Sequence, residues 1–214
     1  MRPQRNGRPV SVHAVVPVRS VRGKTRLGNA LSDAERVELV RAMAAHVIET
    51  LSTAPGIERV HVLTSEPDLA PRECSRIADR GAGLNEAIAE AARALRARGA
   101  QRMIIVHADL PFLTREEIQT LVLASEEDAL VAAPDVAESG TNALGLSLSR
   151  TVATRFGPGS LIAHRRLAED AHLSFRLVRS PGLAYDVDEP AQLERLIAGS
   201  DARYEFLRPP NRCR

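Results

Sequence analysis

Lysine is nearly absent from this 214-residue chain: Lys24 is alone, and every other cation is an arginine or a histidine. Tryptophan is missing altogether, and aromatic residues make up 3% of the chain. That leaves little to build the stacking platforms that single-stranded nucleic acids need. Cysteine is scarce too. Cys74 and Cys213 lie far apart without metal-ligand spacing, which fits a reduced, cytoplasmic protein and gives no zinc site. No stretch approaches the roughly 20 apolar residues of a membrane span. The basic start MRPQRNGRPV is not followed by a long apolar run, so no signal peptide is expected. In the ending NRCR the cysteine stands one position too late for a prenylation box. A formal charge of +2, with arginines spread along the chain, provides no basic block, so neither nucleic acid nor membrane is expected as a partner.

What is present is aliphatic. Hydrophobic residues reach 44%, enough for a core of Ala, Val, Leu and Ile. Short apolar runs read as strands at 12–18 (VHAVVPV), 59–64 (RVHVLT), 102–108 (RMIIVHA), 129–134, 143–148 and in FRLVRS. Between them lie helical patterns. Ser32 with Glu35 and Thr114 with Glu117 form capping boxes. Pro55 and Gly56 stop the first helix, Gly99 ends an Ala-rich one, and Pro190 opens the last. Alternation of strands and helices predicts an α/β fold with a mostly parallel sheet covered by helices on both faces. One domain over 11–199 is expected, with residues 1–10 and 200–214 as terminal extensions, the latter lying on the surface. Ligands of such sheets bind at the carboxyl ends of the strands, so the loops after the strands carry the functional reading.

The first of these loops contains GKT, the heart of a phosphate-binding loop. That motif requires a glycine five residues before Gly23, and the residue there is Val18, inside the strand. The motif fails, which argues against a P-loop GTPase or kinase. What remains is a strand followed by Arg19, Arg22, Lys24 and Arg26, a set of cations suited to a polyphosphate. Next, Asp109 ends the most apolar strand and precedes Leu-Pro. A second acidic cluster, Asp186, Asp188 and Glu189, precedes the last helix. Two carboxylates from separate strand ends suit a hard cation such as Mg²⁺. The run FGPGS opens a helix with glycines and Ser160, where backbone N–H groups attract phosphate. SGTNAL reads as a small-residue turn with Thr141 and Asn142 as hydrogen-bonders. Taken singly, each is also ordinary turn or capping chemistry, as is Asn85 after the glycine turn RGAGL. His107, His164 and His172 have no triad partners in this reading.

Together, VPVRSVRGKTRL, GAGLNEAI, HADLPFLT, GTNAL, FGPGS and YDVDEPAQL occur in this order from residue 13 to about 197. The set resembles the guanylyltransferases of deazaflavin coenzyme F(420) biosynthesis, which act on 2-phospho-L-lactate, phosphoenolpyruvate or 3-phospho-D-glycerate. The resemblance implies a Rossmann-like, glycosyltransferase-A-like nucleotidyltransferase fold. It implies GMP transfer from GTP to the phosphate of a three-carbon acid, with release of pyrophosphate. Phosphoenolpyruvate is the first choice of acceptor. Residue by residue, it implies Mg²⁺ on Asp109 and Asp188, which with Lys24 form the catalytic set. The acid would lie on Thr141, Gly157 and Ser160, with Asn142 as a further substrate-binding residue. The GTP phosphates would lie on Lys24, Arg19, Arg22 and Arg26, and the nucleoside against Gly83 and Asn85. An acidic residue is expected close before the glycine loop; here Asp79 is followed by Arg80. A homodimer is compatible with this reading. Its competitors are a molybdenum cofactor guanylyltransferase or sugar-acid cytidylyltransferase, a nucleotide-sugar glycosyltransferase using the DVD at 186–188, and a non-catalytic nucleotide-binding module.

Overall fold

The computed structural model describes residues 12–150, 153–199 and 201–208. The expected extension 1–10 and Cys213 lie outside them. Among the described residues seven strands form one sheet: β1 (Val12–Pro17), β2 (Ile57–Thr64), β3 (Ser75–Ala78), β4 (Arg102–Val106), β5 (Ala129–Pro134), β6 (Thr141–Ser147) and β7 (Ser174–Leu177). Their spatial order is β3-β2-β1-β4-β6-β5-β7. All neighbours run parallel except β6, which is antiparallel to both β4 and β5. The helices are α1 (Asp33–Thr53), α2 (Leu84–Ala97), α3 (Arg115–Ala124), α4 (Ser160–Asp170), α5 (Pro181–Ala184) and α6 (Pro190–Ala198).

Side-chain alternation along the strands divides the core in two. Ala14 and Val16 of β1 and Ile104 and Val106 of β4 face a cluster completed by Val47 and Leu51 of α1 and Ile118 and Leu121 of α3. Val15, Met103 and Ile105 face the other side, against Ile88 and Leu95 of α2 and Leu161 and Ala168 of α4. Both expected capping boxes form: Ser32 Oγ accepts Glu35 N–H at 3.3 Å, and Thr114 Oγ1 accepts Glu117 N–H at 3.3 Å. Among the described residues no helix is long and apolar enough to cross a membrane.

Two expectations are corrected. Thr141 and Asn142 do not form a turn; they open β6 and are buried there. The segment after residue 199 was expected on the surface, yet residues Ala202–Leu207 form a 3-10 helix whose Tyr204 and Leu207 are buried. They join Leu27, Leu39, Met43, Tyr185, Val187, Leu193 and Leu196 in a third apolar cluster.

Candidate active site

Because β4 is central and β6 runs antiparallel beside it, the carboxyl end of β4 meets the start of β6. The pairing is direct: His107 N–H donates to Asn142 O at 2.9 Å. Beyond it, Asp109 O accepts Val187 N–H at 3.2 Å, which brings the late acidic segment to the same edge. In that segment Val187 is buried in the third cluster, so Asp186 and Asp188 on either side of it face the site together. Asp109, Asp186 and Asp188 each place a carboxylate oxygen within 4.8 Å of the others. Gln192 Oε1 accepts the N–H of Asp188 at 2.7 Å and of Glu189 at 2.8 Å, fixing the turn into α6.

Lys24 meets this acidic group. Its Nζ donates to Asp109 Oδ2 at 2.6 Å and also to Asp188 Oδ1. The side chains of Lys24, Asp109 and Asp188 are 10%, 24% and 46% exposed. The backbone of Lys24 is left-handed, with φ 60° and ψ 39°, a conformation that costs a non-glycine residue about 1 kcal/mol or more. The surrounding loop holds it there: Leu27 is buried in the third cluster, and Val21 N–H donates to Glu66 Oε1 at 3.3 Å. Burial alone would lower the Lys24 pKa, but Asp109 and Asp188 outweigh it and the net shift is upward. Burial would raise that of Asp109, but Lys24 and then His107 outweigh it and the carboxyl is held below its usual range. Burial pushes Asp186 up to about 6, assisted by the charge of Asp109. Asp109 Oδ1 and His107 Nε2 are buried with no hydrogen-bond partner among the described residues.

The other three cations of the basic loop do not converge on the acids. Arg19 reaches Asp79 at 3.6 Å, at the end of β3. Asp79 also caps the glycine turn, accepting Gly81 N–H at 2.8 Å. Arg26 pairs with Glu189 at 3.5 Å in solvent, and Arg22 is exposed. Arg19, Lys24, Leu84, His107 and Asp109 line one cleft of ≈ 270 Å³ between the basic loop, the end of β4 and the start of α2. Gly83, with φ 102°, directly precedes Leu84 and α2.

Asn85, expected against a nucleoside, is engaged elsewhere. Its Oδ1 accepts Phe156 N–H at 2.8 Å and Thr154 Oγ1–H at 3.0 Å, and its Nδ2 donates to Phe156 O at 3.0 Å. It fastens the strand of chain that enters FGPGS. In that loop Gly157 and Gly159 have φ of 133° and 69°, conformations that favour glycine. Ser160 Oγ donates to Thr141 Oγ1 at 3.2 Å, which also bonds His164 Nδ1 at 3.1 Å. Asn142 Nδ2 donates to the carbonyls of Leu183 and Ala184, both at 3.0 Å, and to Asp186 Oδ1 at 3.4 Å. The site therefore has an acidic pole beside a basic cleft, and a glycine loop of hydroxyls adjoining it. Two nearby histidines, His107 and His164, carried no role in the sequence reading. For His164 a signal existed: it stands four residues after Ser160, on the same face of α4.

A search against protein families matches residues 12–210 to the family described as "Guanylyl transferase CofC like". The chain belongs to this CofC-like guanylyl transferase family. Its relatives include a protein of Sphaerobacter thermophilus named phosphoenolpyruvate guanylyltransferase, 37% identical over 188 residues, 86% of this chain and 91% of that one. Another, from Methanosarcina mazei, is named 2-phospho-L-lactate guanylyltransferase; it is 30% identical over 198 residues, 92% of this chain and 91% of that one. Among solved structures, a Desulfovibrio desulfuricans protein described as a nucleotide-diphospho-sugar transferase matches with a TM-score of 0.76 at 18% identity, over 92% of this chain and 93% of that one. CMP:2-keto-3-deoxy-manno-octonic acid synthetase complexed with CTP matches with a TM-score of 0.58 at 15% identity, over 88% and 97%. This CofC-like chain is thus a nucleotidyltransferase in family and in fold. The three clustered carboxylates are hard oxygen donors of the kind divalent cations take, and the buried Asp109 Oδ1, with no hydrogen-bond partner among the described residues, has lone pairs to offer one.

Proposed function

We propose that the protein transfers GMP from GTP to the phosphate of phosphoenolpyruvate and releases pyrophosphate, in coenzyme F(420) biosynthesis. The observation that carries this reading is the convergence of Asp109, Asp186 and Asp188 on one point beside the Lys24-lined cleft. The names of the relatives support guanylyl transfer and this acceptor.

The chemistry suits the residues. A phosphate oxygen of the acceptor forms a bond to the α-phosphorus of GTP. The bond from that phosphorus to the bridging oxygen breaks, and its electron pair leaves with pyrophosphate. The nucleophile is already ionised, since a phosphate monoester loses its second proton near pH 6. No general base is required, in keeping with His164 being bound up in structural hydrogen bonds. The barrier is the approach of two polyanions. One pair of unit charges 4 Å apart costs about 4 kcal/mol at an effective dielectric of about 20. Fixed positive charge and oriented N–H groups offset several such pairs.

Asp109 and Asp188 would hold Mg²⁺, with Asp186 as a further ligand. The ion would supply Lewis-acid polarisation of the phosphates and charge neutralisation. Lys24 then offers a compact ammonium to the phosphates in the cleft, where a wide guanidinium fork fits less well. Arg19 lies at the same cleft and serves the polyphosphate, with Arg22 and Arg26 at its edge. Gly83, directly before Leu84 of the cleft lining, is left for the nucleoside. Thr141, Gly157 and Ser160 hold the acid. A second acceptor, 2-phospho-L-lactate, is favoured by the Methanosarcina relative. Incubation with each NTP, Mg²⁺ and a panel of phospho-acids, with pyrophosphate release and product mass as readouts, tests both. Pyrophosphate and a guanylated phosphoenolpyruvate are expected; binding of GTP without turnover refutes the enzymatic reading.

A further inference from the structure

The glycine-loop side of the site contains a chain of hydrogen bonds whose proton directions are determined. The backbone N–H of Arg155 donates to His164 Nε2 at 3.0 Å. A backbone amide can only donate, so Nε2 is bare and the neutral ring carries its hydrogen on Nδ1. Burial and the neighbouring His107 push the pKa of His164 down to about 4, so the neutral ring persists at working pH. Nδ1–H then donates to Thr141 Oγ1 at 3.1 Å, and Ser160 Oγ–H donates to the same oxygen at 3.2 Å. Both lone pairs of that hydroxyl are occupied. Its own hydrogen has only the role of donor left, and Thr141 Oγ1 forms no other bond among the described residues. Thr141 opens β6, one residue from the Asn142 carbonyl that receives His107 N–H, and its side chain faces α4.

The His164 ring is locked in place. It is fully buried, edge-on to Phe156 at 5.0 Å between ring centroids. Phe156 in turn lies 5.1 Å from the His107 ring and is clamped at both its N–H and its carbonyl by Asn85.

We propose that His164 is a positioning residue that turns the Thr141 hydroxyl into a compulsory donor, so that this subsite takes a bare oxyanion of the acceptor acid. The proposal rests on the reading of Thr141 as acceptor-binding. A ligand bearing an ammonium in place of that oxyanion has no lone pair to offer and would bring a donor against a donor, and a buried mismatch of that kind is costly. Ser160 fixes one lone pair of Thr141 and His164 the other; losing His164 would let the threonine hydrogen turn inward to the vacated position.

The test is a double-mutant cycle read as apparent KM and kcat for phosphoenolpyruvate and for GTP. Thr141→Val raises the KM for phosphoenolpyruvate about tenfold or more, the effect of losing a hydrogen bond to a charged group, and leaves that for GTP unchanged. His164→Phe raises the same KM about three- to tenfold, the scale of one neutral hydrogen bond. In the Thr141→Val background His164→Phe adds nothing, because its effect acts through the missing hydroxyl. His164→Asn, whose Nδ2–H reaches as far along the side chain as Nδ1–H, recovers most of the loss. Additive effects, an equal change in the GTP KM, or no rescue by asparagine overturn the role of His164. If Thr141→Val leaves the phosphoenolpyruvate KM unchanged, the acceptor assignment itself falls, a distinct outcome. Should His164→Phe fail to fold, the cycle is run with His164→Asn, for which a small effect absent in the Thr141→Val background is expected and an additive one refutes.

Discussion

Lys24→Met isolates the charge that sits on the acidic pole, because methionine keeps the left-handed backbone of position 24 and most of the side-chain volume. Lys24 and Asp109 are 10% and 24% exposed and lie 2.6 Å apart. Removing one partner of a buried ion pair costs about 3–5 kcal/mol. Water reaching Asp109 moves this below that range, to about 2–3 kcal/mol, and the more exposed Asp188 adds little. For a domain of this size each kcal/mol is worth about 2–4 °C in Tm. Lys24→Met should therefore lower Tm by about 5–10 °C in EDTA. A divalent cation bound by the same carboxylates supplies the missing charge. A ligand at a hundred times its Kd adds about 2.7 kcal/mol, so saturating Mg²⁺ or Mn²⁺ should raise the Tm of the variant more than that of the wild type, which must first give up its ammonium contact. Calorimetry with and without the cation reads this directly. No loss of Tm in EDTA, or an equal cation response in both proteins, would refute the reasoning. Lys24→Arg, tested alongside, should stay folded and lose most turnover.

Other outcomes follow from the same geometry. Asp109→Asn should lower the Mg²⁺-dependent rate by about a hundredfold or more, the scale of losing a charge-stabilising group; a normal rate of pyrophosphate release would remove Asp109 from the metal site. Asn85→Ala should weaken the acceptor more than GTP, since Asn85 holds Phe156 rather than an open face; a selective rise in the GTP KM would return it to the nucleoside. His61 and His164 both have folded pKa values of about 4, lowered by burial, against an ordinary 6.5. The unfolded chain takes up protons first, so stability is full above about pH 6.5 and declines by up to about 1.4 kcal/mol per histidine per pH unit toward pH 4. Asp186, raised to about 6, opposes this over the same range, so urea unfolding of the wild type is compared with that of His61→Phe across it, and identical profiles refute the histidine contribution. Gly182→Ala should destabilise, because an added Cβ meets Glu117 Oε2 and the Phe112 carbonyl; thermal melting measures the loss, and an unchanged Tm speaks against it.

The layered α/β architecture was legible because buried parallel strands are continuous apolar runs between amphipathic helices. The direction of β6 was not. Its residues are buried on both faces, and such a run reads the same whether its neighbours are parallel or antiparallel. β3 has four residues with alternating partial exposure, too short for a period to declare itself. The burial of Tyr204 and Leu207 was hidden in a segment rich in charge and proline. Asp109 and Asp188 were read from the strand tip and the helix start. Asp186 joins them through a rule visible in DVD, the two-residue period of extended chain about a buried valine. The ammonium of Lys24 on these acids was not readable, since a contact spanning 85 and 164 residues has no local trace.

The third apolar cluster gives the site an unusual cooperativity. Leu27 roots the lysine loop in it, Tyr185 and Val187 root the acidic segment, and Tyr204 and Leu207 close it from the end of the described chain. Lys24 and the segment of Asp186 and Asp188 thus share one apolar anchor, while Asp109 is rooted through Leu110 in the first cluster. A fluctuation that lifts the 3-10 helix does not expose a loop at the periphery. It loosens the anchors of Lys24, Asp186 and Asp188 together and leaves Asp109 in place.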